Sequence, residues 1–94
     1  MAEQIRASHL LVKTEQEAKD LREKIVNGKE EFADVAKEFS LCPSKSNGGD
    51  LGYFTKGQMV KPFEDAAFAM NIGEISQPVQ TQFGWHLIFL TDKK

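Results

Sequence analysis

The sequence predicts an α+β fold in which helices pack on a small, mainly antiparallel sheet. Three observations predict it: side chains alternate at the start of the chain, three central segments repeat apolar residues at helical intervals, and the last two segments are strand-like runs separated by a tight turn. The order is strand, helix, helix, strand, helix, strand, strand. Because the chain has 94 residues, we expect one domain over residues 1–94 with one modest core.

The first strand and the first helix are marked by their periodicity. His9 and Leu11 share one face of a strand predicted over residues 5–12. The helix that follows has a start signal in Thr14, with a glutamate at capping-box spacing, and a stop signal in the Asn-Gly pair at 27–28. We therefore expect a histidine within an apolar strand, where burying a charge would be costly.

A second helix and a long loop come next. Residues 31–39 place apolar side chains at i, i+3, i+4 and i+7, which predicts a helix whose apolar stripe faces the sheet. Residues 40–50 are rich in turn formers, which predicts an ordered surface loop that can lean over a pocket. This loop contains Cys42, and as the only cysteine it cannot form an intramolecular disulfide.

The second half of the chain contains one helix and three strands. The predicted elements are a strand at 51–54, a helix that begins near Pro62 and ends at 71–73, a strand at 77–81, and a strand at 85–91 after a turn at Phe83-Gly84. The last strand is apolar on both faces, which indicates a central position in the sheet. It carries His86, the second of two histidines.

Charge and hydropathy exclude several classes of partner. The 12 basic residues are interleaved with 14 acidic residues for a net charge of −2, so no attraction to nucleic acid is expected. The first residues lack the pattern of a signal peptide, and no apolar run approaches the length of a bilayer span. We expect a cytoplasmic monomer without membrane contact.

The two histidines and the cysteine are the candidate chemical groups. If the first and last strands pair, His9 and His86 could meet. With Cys42 added, four chemistries are open: a thiol nucleophile with a histidine base, a zinc site, catalysis on a peptide without a covalent step, and peptide binding without turnover. The cysteine does not open a helix, which disfavours a thiolate, and the spacing of a zinc site is absent.

Five motifs occur in order along nearly the whole chain. They are Ser8-His9-Leu10-Leu11-Val12-Lys13, Leu41-Cys42-Pro43-Ser44, Gly48-Gly49-Asp50-Leu51-Gly52, Gly57-Gln58-Met59-Val60-Lys61-Pro62-Phe63-Glu64 and Phe83-Gly84-Trp85-His86. In this order they resemble the parvulin family of peptidyl-prolyl isomerases. The resemblance implies a parvulin-like (FKBP-like) fold, a four-stranded antiparallel sheet surrounded by about four short helices in the order βαααβαββ. The fourth helix is expected near Asn71 or in the loop after Phe39.

The resemblance also implies roles for individual residues. The expected catalytic positions are His9, Cys42, Thr81 and His86, and the expected proline-pocket positions are Leu51, Met59, Phe63 and Phe83. Phe83 stands where some members carry serine, so the hydrogen bonding beside it is an open question. Neither a metal nor another cofactor is implied.

The implied activity is rotation about X-Pro bonds, which face a barrier of roughly 18 to 20 kcal/mol. A site that fits the twisted bond better than either planar isomer lowers this barrier without a covalent step. Phosphate-directed members carry a basic cluster after the first strand, where this chain has Lys13-Thr14-Glu15. We therefore expect proline-containing or unfolded protein segments as partners, without a phosphate requirement. The alternative is a parvulin-like peptide-binding or chaperone module with little catalysis.

Overall fold

A computed structural model describes residues 4–42 and 46–94. Its strands are β1 (Ile5–Val12), β2 (Asp50–Phe54), β3 (Val79–Thr81) and β4 (Gly84–Lys93), and its helices are α1 (Glu15–Val26), α2 (Phe32–Phe39) and α3 (Lys61–Phe68). The strands form one sheet in the order β2-β1-β4-β3, in which all neighbours are antiparallel. The predicted four-stranded antiparallel sheet is confirmed.

The number of helices is lower than expected. The described residues contain three α-helices rather than about four. Residues 46–47, in the loop after Phe39, adopt 3₁₀ geometry, and the adjoining residues 43–45 lie outside the described part of the chain. Near Asn71 the structure has only a turn.

The sheet has a hydrophobic cluster on each face, because β1 and β4 lie at its centre. One cluster, under α3, consists of Ile5, Ala7, Phe54, Phe63, Ala67, Met70, Ile88 and Leu90. The other, under α1 and α2, consists of Leu10, Val12, Ala18, Leu21, Phe32, Val35, Ala36 and Leu87. The two-sided burial expected of the last strand is therefore confirmed. Within the described ranges, no helix is both long and apolar enough to cross a membrane.

The helices begin as their sequence signals indicate. The Thr14 hydroxyl accepts a hydrogen bond of 3.2 Å from the Glu17 backbone N–H and so satisfies one free donor of the first turn of α1. Pro62 lies in the first turn of α3, where its missing N–H costs no hydrogen bond. Phe63 then follows at a position that points into the core.

The loop before β2 approaches β1 closely at a glycine. The Gly49 carbonyl accepts a hydrogen bond of 2.9 Å from the His9 backbone N–H. Gly49 has a φ of 84°, and a Cβ placed there would lie 2.1 Å from the His9 carbonyl oxygen. Only glycine allows this approach, because any side chain would collide with backbone that cannot move aside.

Replacing Gly49→Ala should therefore destabilise the fold. We expect the free energy of unfolding to fall by at least about 2 kcal/mol more than in Gly28→Ala, measured by urea denaturation. Gly28 is the matched control because its φ of 76° is similar but no atom lies within 4 Å of the added Cβ. Equal losses in the two variants would show that the contact with His9 is unimportant.

Candidate active site

The two histidines meet on the α3 face of the sheet. In the antiparallel register, His9 lies opposite Ile88 and His86 lies opposite Leu11, so the histidines are diagonal neighbours on one face. Their Nδ1 atoms are 3.1 Å apart, and the rings are nearly parallel, at 16°. Only 6% of His9 and 4% of His86 is exposed to solvent. The expected meeting of the histidines is thus observed.

The hydrogen bonds around the pair favour one arrangement of protons. Two Nδ1 atoms can bond only when one carries a hydrogen and the other a lone pair. His86 Nε2 also lies 2.7 Å from the Thr81 hydroxyl, whereas His9 Nε2 is buried without a partner among the described residues. Buried N–H groups without acceptors are rarer than unused acceptors. We therefore assign the hydrogen of His9 to Nδ1 and that of His86 to Nε2, which donates to Thr81.

Both imidazoles are held in the neutral form. Burial, and secondarily the nearby His86, lowers the pKa of His9 from 6.5 to about 4. Burial also lowers the pKa of His86. The pair is therefore uncharged at neutral pH, and protonating it would place a cation in a largely apolar site.

An apolar cup lies beside the histidines. Leu51 from β2, Met59 from the loop before α3 and Phe63 from α3 all line one cavity of about 520 Å³. The Phe63 ring stands edge-on to each histidine ring at a centroid distance of 5.5 Å. This edge-to-face contact is a preferred aromatic geometry.

The cavity includes residues that the sequence did not indicate as site residues. Its complete described lining is His9, Leu11, Leu41, Cys42, Leu51, Gln58, Met59, Val60, Phe63, Phe83 and His86. Leu11 could have been found, because it shares the strand face of His9. Gln58 and Val60 flank Met59 in sequence, but no periodic signal distinguishes them. None of the described lining residues is charged.

Cys42 lines the cavity because Ser40 holds the loop against β1. The buried Ser40 hydroxyl accepts hydrogen bonds from the Cys42 backbone N–H at 3.2 Å and from the Leu11 backbone N–H at 3.1 Å. The Leu41 backbone N–H also donates to the Leu11 carbonyl, at 2.8 Å. Across the described residues, the Cys42 thiol makes no hydrogen bond to either histidine ring. Among the described residues, no base is therefore hydrogen-bonded to the cysteine thiol.

Thr81 and Phe83 are connected to the site in different ways. Thr81 does not line the cavity in the described part of the chain but lies behind His86. The Thr81 hydroxyl accepts a hydrogen bond of 3.1 Å from the Phe83 backbone N–H. The main chain at Phe83 therefore takes part in the hydrogen-bond network of Thr81 and His86, although the Phe83 side chain, unlike a serine, cannot. The Phe83 side chain is 60% exposed at the rim of the cavity. Over residues 4–42 and 46–94, no cluster of three or more potential metal ligands occurs.

Comparison with known proteins decides the family. The family described as "Rotamase: PPIC-type PPIASE domain" matches residues 6–92. The chain belongs to the PPIC-type peptidyl-prolyl isomerase, or parvulin, family. This membership confirms the family that the five motifs indicated. It also confirms that the domain is of the isomerase class.

The PrsA foldases are similar to this chain over nearly all of its length. The foldase protein PrsA of Geobacillus kaustophilus is 54% identical over 91 residues, which are 96% of this chain and 32% of that protein. The crystal structure of PrsA from Bacillus anthracis has a TM-score of 0.95 at 48% identity and covers 99% of this chain and 43% of that one. The chain thus spans about a third of the length of the curated foldases that it matches.

A relative of similar size confirms the fold. The solution structure of NmPin, the parvulin of Nitrosopumilus maritimus, has a TM-score of 0.88 at 46% identity and covers 98% of this chain and 99% of that one. The parvulin-like fold inferred from the sequence is therefore correct.

The neutral histidine pair predicts a specific loss of stability in acid. The unfolded chain binds protons at these histidines as the pH falls below about 6.5, whereas folded His9 binds one only near 4. Their contribution to stability is therefore complete above pH 6.5 and is lost as the pH falls towards 4. For His9 alone the loss is roughly 3 kcal/mol, and His86 acts in the same direction.

Urea denaturation at a series of pH values measures this loss. Carboxylates also affect stability in acid. The hydrogen bond to Arg6 lowers the pKa of Asp50 from its ordinary value of 3.8, so the protonation of this carboxylate reduces stability mostly below about pH 4. A free energy of unfolding that stayed constant from pH 6.5 to about 4 would contradict the assigned protonation states.

Proposed function

We propose that the chain catalyses rotation about X-Pro bonds in unfolded or flexible protein segments, without a covalent intermediate and without a phosphate requirement. The observation that carries the proposal is a cavity whose described lining is uncharged and in which an apolar cup lies beside a neutral histidine pair. Family membership supports the reaction. The names of the similar PrsA proteins, which are foldases, support unfolded segments as substrates.

The cavity suits the twisted form of an X-Pro bond. The planar amide shares charge between oxygen and nitrogen, and this charge separation is lost when the bond twists. Transfer from water to an uncharged, apolar cavity therefore costs the planar amide more than the twisted amide. Because the twisted form is the transition state, this difference lowers the barrier, by about 1.4 kcal/mol for each tenfold gain in rate.

A covalent route is poorly supported by the contacts around Cys42. An active thiolate needs an adjacent base or a helix N-terminus. Both Nδ1 atoms of the histidine pair bond to each other, and the second nitrogen of His86 bonds to Thr81. His9 Nε2 is buried. Neither histidine has an exposed lone pair with which to deprotonate the thiol.

The absence of charged side chains from the described part of the cavity lining also supports a substrate without phosphate. Binding a phosphate requires cationic partners, usually arginine forks or clustered lysines. After β1, the chain continues with Lys13 and then with Glu15 and Glu17 in the first turn of α1. Two apolar side chains that are more than half exposed, Leu41 and Phe83, stand at the cavity instead. They suit an apolar residue before proline.

An exchange NMR assay on the peptide Ala-Leu-Pro-Phe-amide tests this function. We expect cis/trans exchange well above the uncatalysed rate, which corresponds to tens of seconds per event. Met59→Ala should lower kcat/KM about tenfold, because it removes one wall of the cup. Ile72→Ala is the matched control, since it truncates an exposed side chain that does not line the cavity. No acceleration for any residue before proline would leave only peptide binding.

The same assay separates the finer parts of the proposal. Cys42→Ser should keep at least roughly a fifth of the turnover, because a weak polar group remains and no covalent bond is needed. Loss of all turnover with the fold intact would establish a nucleophilic cysteine. Replacing the leucine of the peptide with glutamate or phosphoserine should give no gain. A tenfold gain would show a preference for anionic substrates.

The monomeric state and the cytoplasmic location expected from the sequence belong to the same proposal. Light scattering after size-exclusion chromatography tests the first, and cell fractionation tests the second. A stable dimer, or recovery of the protein from the cell envelope, would contradict them.

A further inference from the structure

The side-chain amide of Gln58 has only one possible orientation. Gln58 follows β2 in the turn that leads to Met59, and its Oε1 lies 2.6 Å from the Thr55 backbone nitrogen. A backbone N–H can only donate, so the atom that faces it must be the amide oxygen. The Thr55 hydroxyl lies 3.3 Å from the same oxygen. The amide nitrogen of Gln58 is therefore the free end of the group.

This nitrogen is a hydrogen-bond donor that the described part of the fold does not use. Among the described residues, Gln58 Nε2 donates to no acceptor, although the residue lines the cavity. Four of the described lining residues have polar side-chain atoms: His9, Cys42, Gln58 and His86. The histidine nitrogens bond within the network or are buried, and a thiol is a weak donor. Gln58 is thus the one strong, unused side-chain donor in the described lining.

A bound peptide would need such a donor. Its main-chain carbonyls lose water when the proline ring enters an apolar cup, and an unpaired carbonyl in such a site is costly. We propose that Gln58 Nε2 donates a hydrogen bond to the carbonyl of the bound proline itself. This inference rests on the proposed function and adds to it a residue that holds the substrate.

The geometry of the reaction selects the carbonyl of the proline. The carbonyl of the preceding residue swings through about half a turn relative to the ring during isomerisation. A fixed donor that held it would favour one isomer and oppose the rotation. The carbonyl of the proline is attached to the ring and stays with it in both isomers. A hydrogen bond to this carbonyl therefore stabilises ground and transition states alike, which affects KM rather than kcat.

Gln58→Glu separates substrate binding from a role in holding the turn. The carboxylate still accepts the hydrogen bond from the Thr55 N–H but can no longer donate. With Ala-Leu-Pro-Phe-amide we expect KM to rise roughly five- to tenfold with Tm unchanged, and any fall in kcat from the added charge to be smaller than the rise in KM. Gln58→Leu removes both interactions and should also lower Tm. Gln77→Glu, which adds the same charge outside the cavity lining, should retain the KM of the unmodified protein.

A second substrate identifies the partner of Gln58. In a peptide whose proline carbonyl is a thioamide, a weaker acceptor, the unmodified protein should show the raised KM and Gln58→Glu should raise it little further. A wild-type KM in Gln58→Glu would overturn the role of Gln58. Fully additive effects would overturn the choice of the proline carbonyl. Turnover by the unmodified protein reports separately on the proposed function.

Discussion

The hydrogen bond between the Nδ1 atoms of His9 and His86 is the contact on which the site depends. It forms only because β1 and β4 pair in a register that makes the histidines diagonal neighbours. The edge of the Phe63 ring contacts both imidazoles, so the position of α3 and of its wall of the apolar cup depends on the same pair. The cavity is thus built on two neutral rings at the centre of the sheet.

Two imidazoles can be buried at little cost in stability only if most of their ring nitrogens form hydrogen bonds. His86 achieves this through His9 and Thr81, and the Phe83 main chain in turn donates to Thr81. His9 retains one buried nitrogen without a partner among the described residues. The same burial lowers the pKa of both histidines and so keeps the two rings uncharged at neutral pH. In the proposed mechanism, a charged pair would solvate the planar amide and remove the advantage of the twisted form.

The sequence predicted the framework of the site better than its walls. Strand alternation placed His9 on a buried face, and two-sided burial made the strand of His86 central, so their meeting followed once these strands paired. The cup was different, because helical periodicity alone makes Phe63 an ordinary core residue. Its assignment, like that of Leu51 and Met59, depended on the family resemblance.

The remaining parts could not be read from the sequence because they depend on long-range backbone contacts. The Gly49 carbonyl meets the His9 N–H, and the Ser40 hydroxyl joins the loop to β1, through contacts with no periodic signature. These contacts bring Leu41 to the cavity. Thr81 shows a related limit, since sequence places it near His86 but does not show that it lies behind the ring.

Nitrogen-15 NMR of the two imidazoles in the active protein at neutral pH is the most direct test. We expect two neutral rings, with His9 protonated at Nδ1 and His86 protonated at Nε2, and a coupling across the hydrogen bond between their Nδ1 atoms. An imidazolium at either position, or two rings without that coupling, would contradict the claim that a neutral hydrogen-bonded pair supports catalysis.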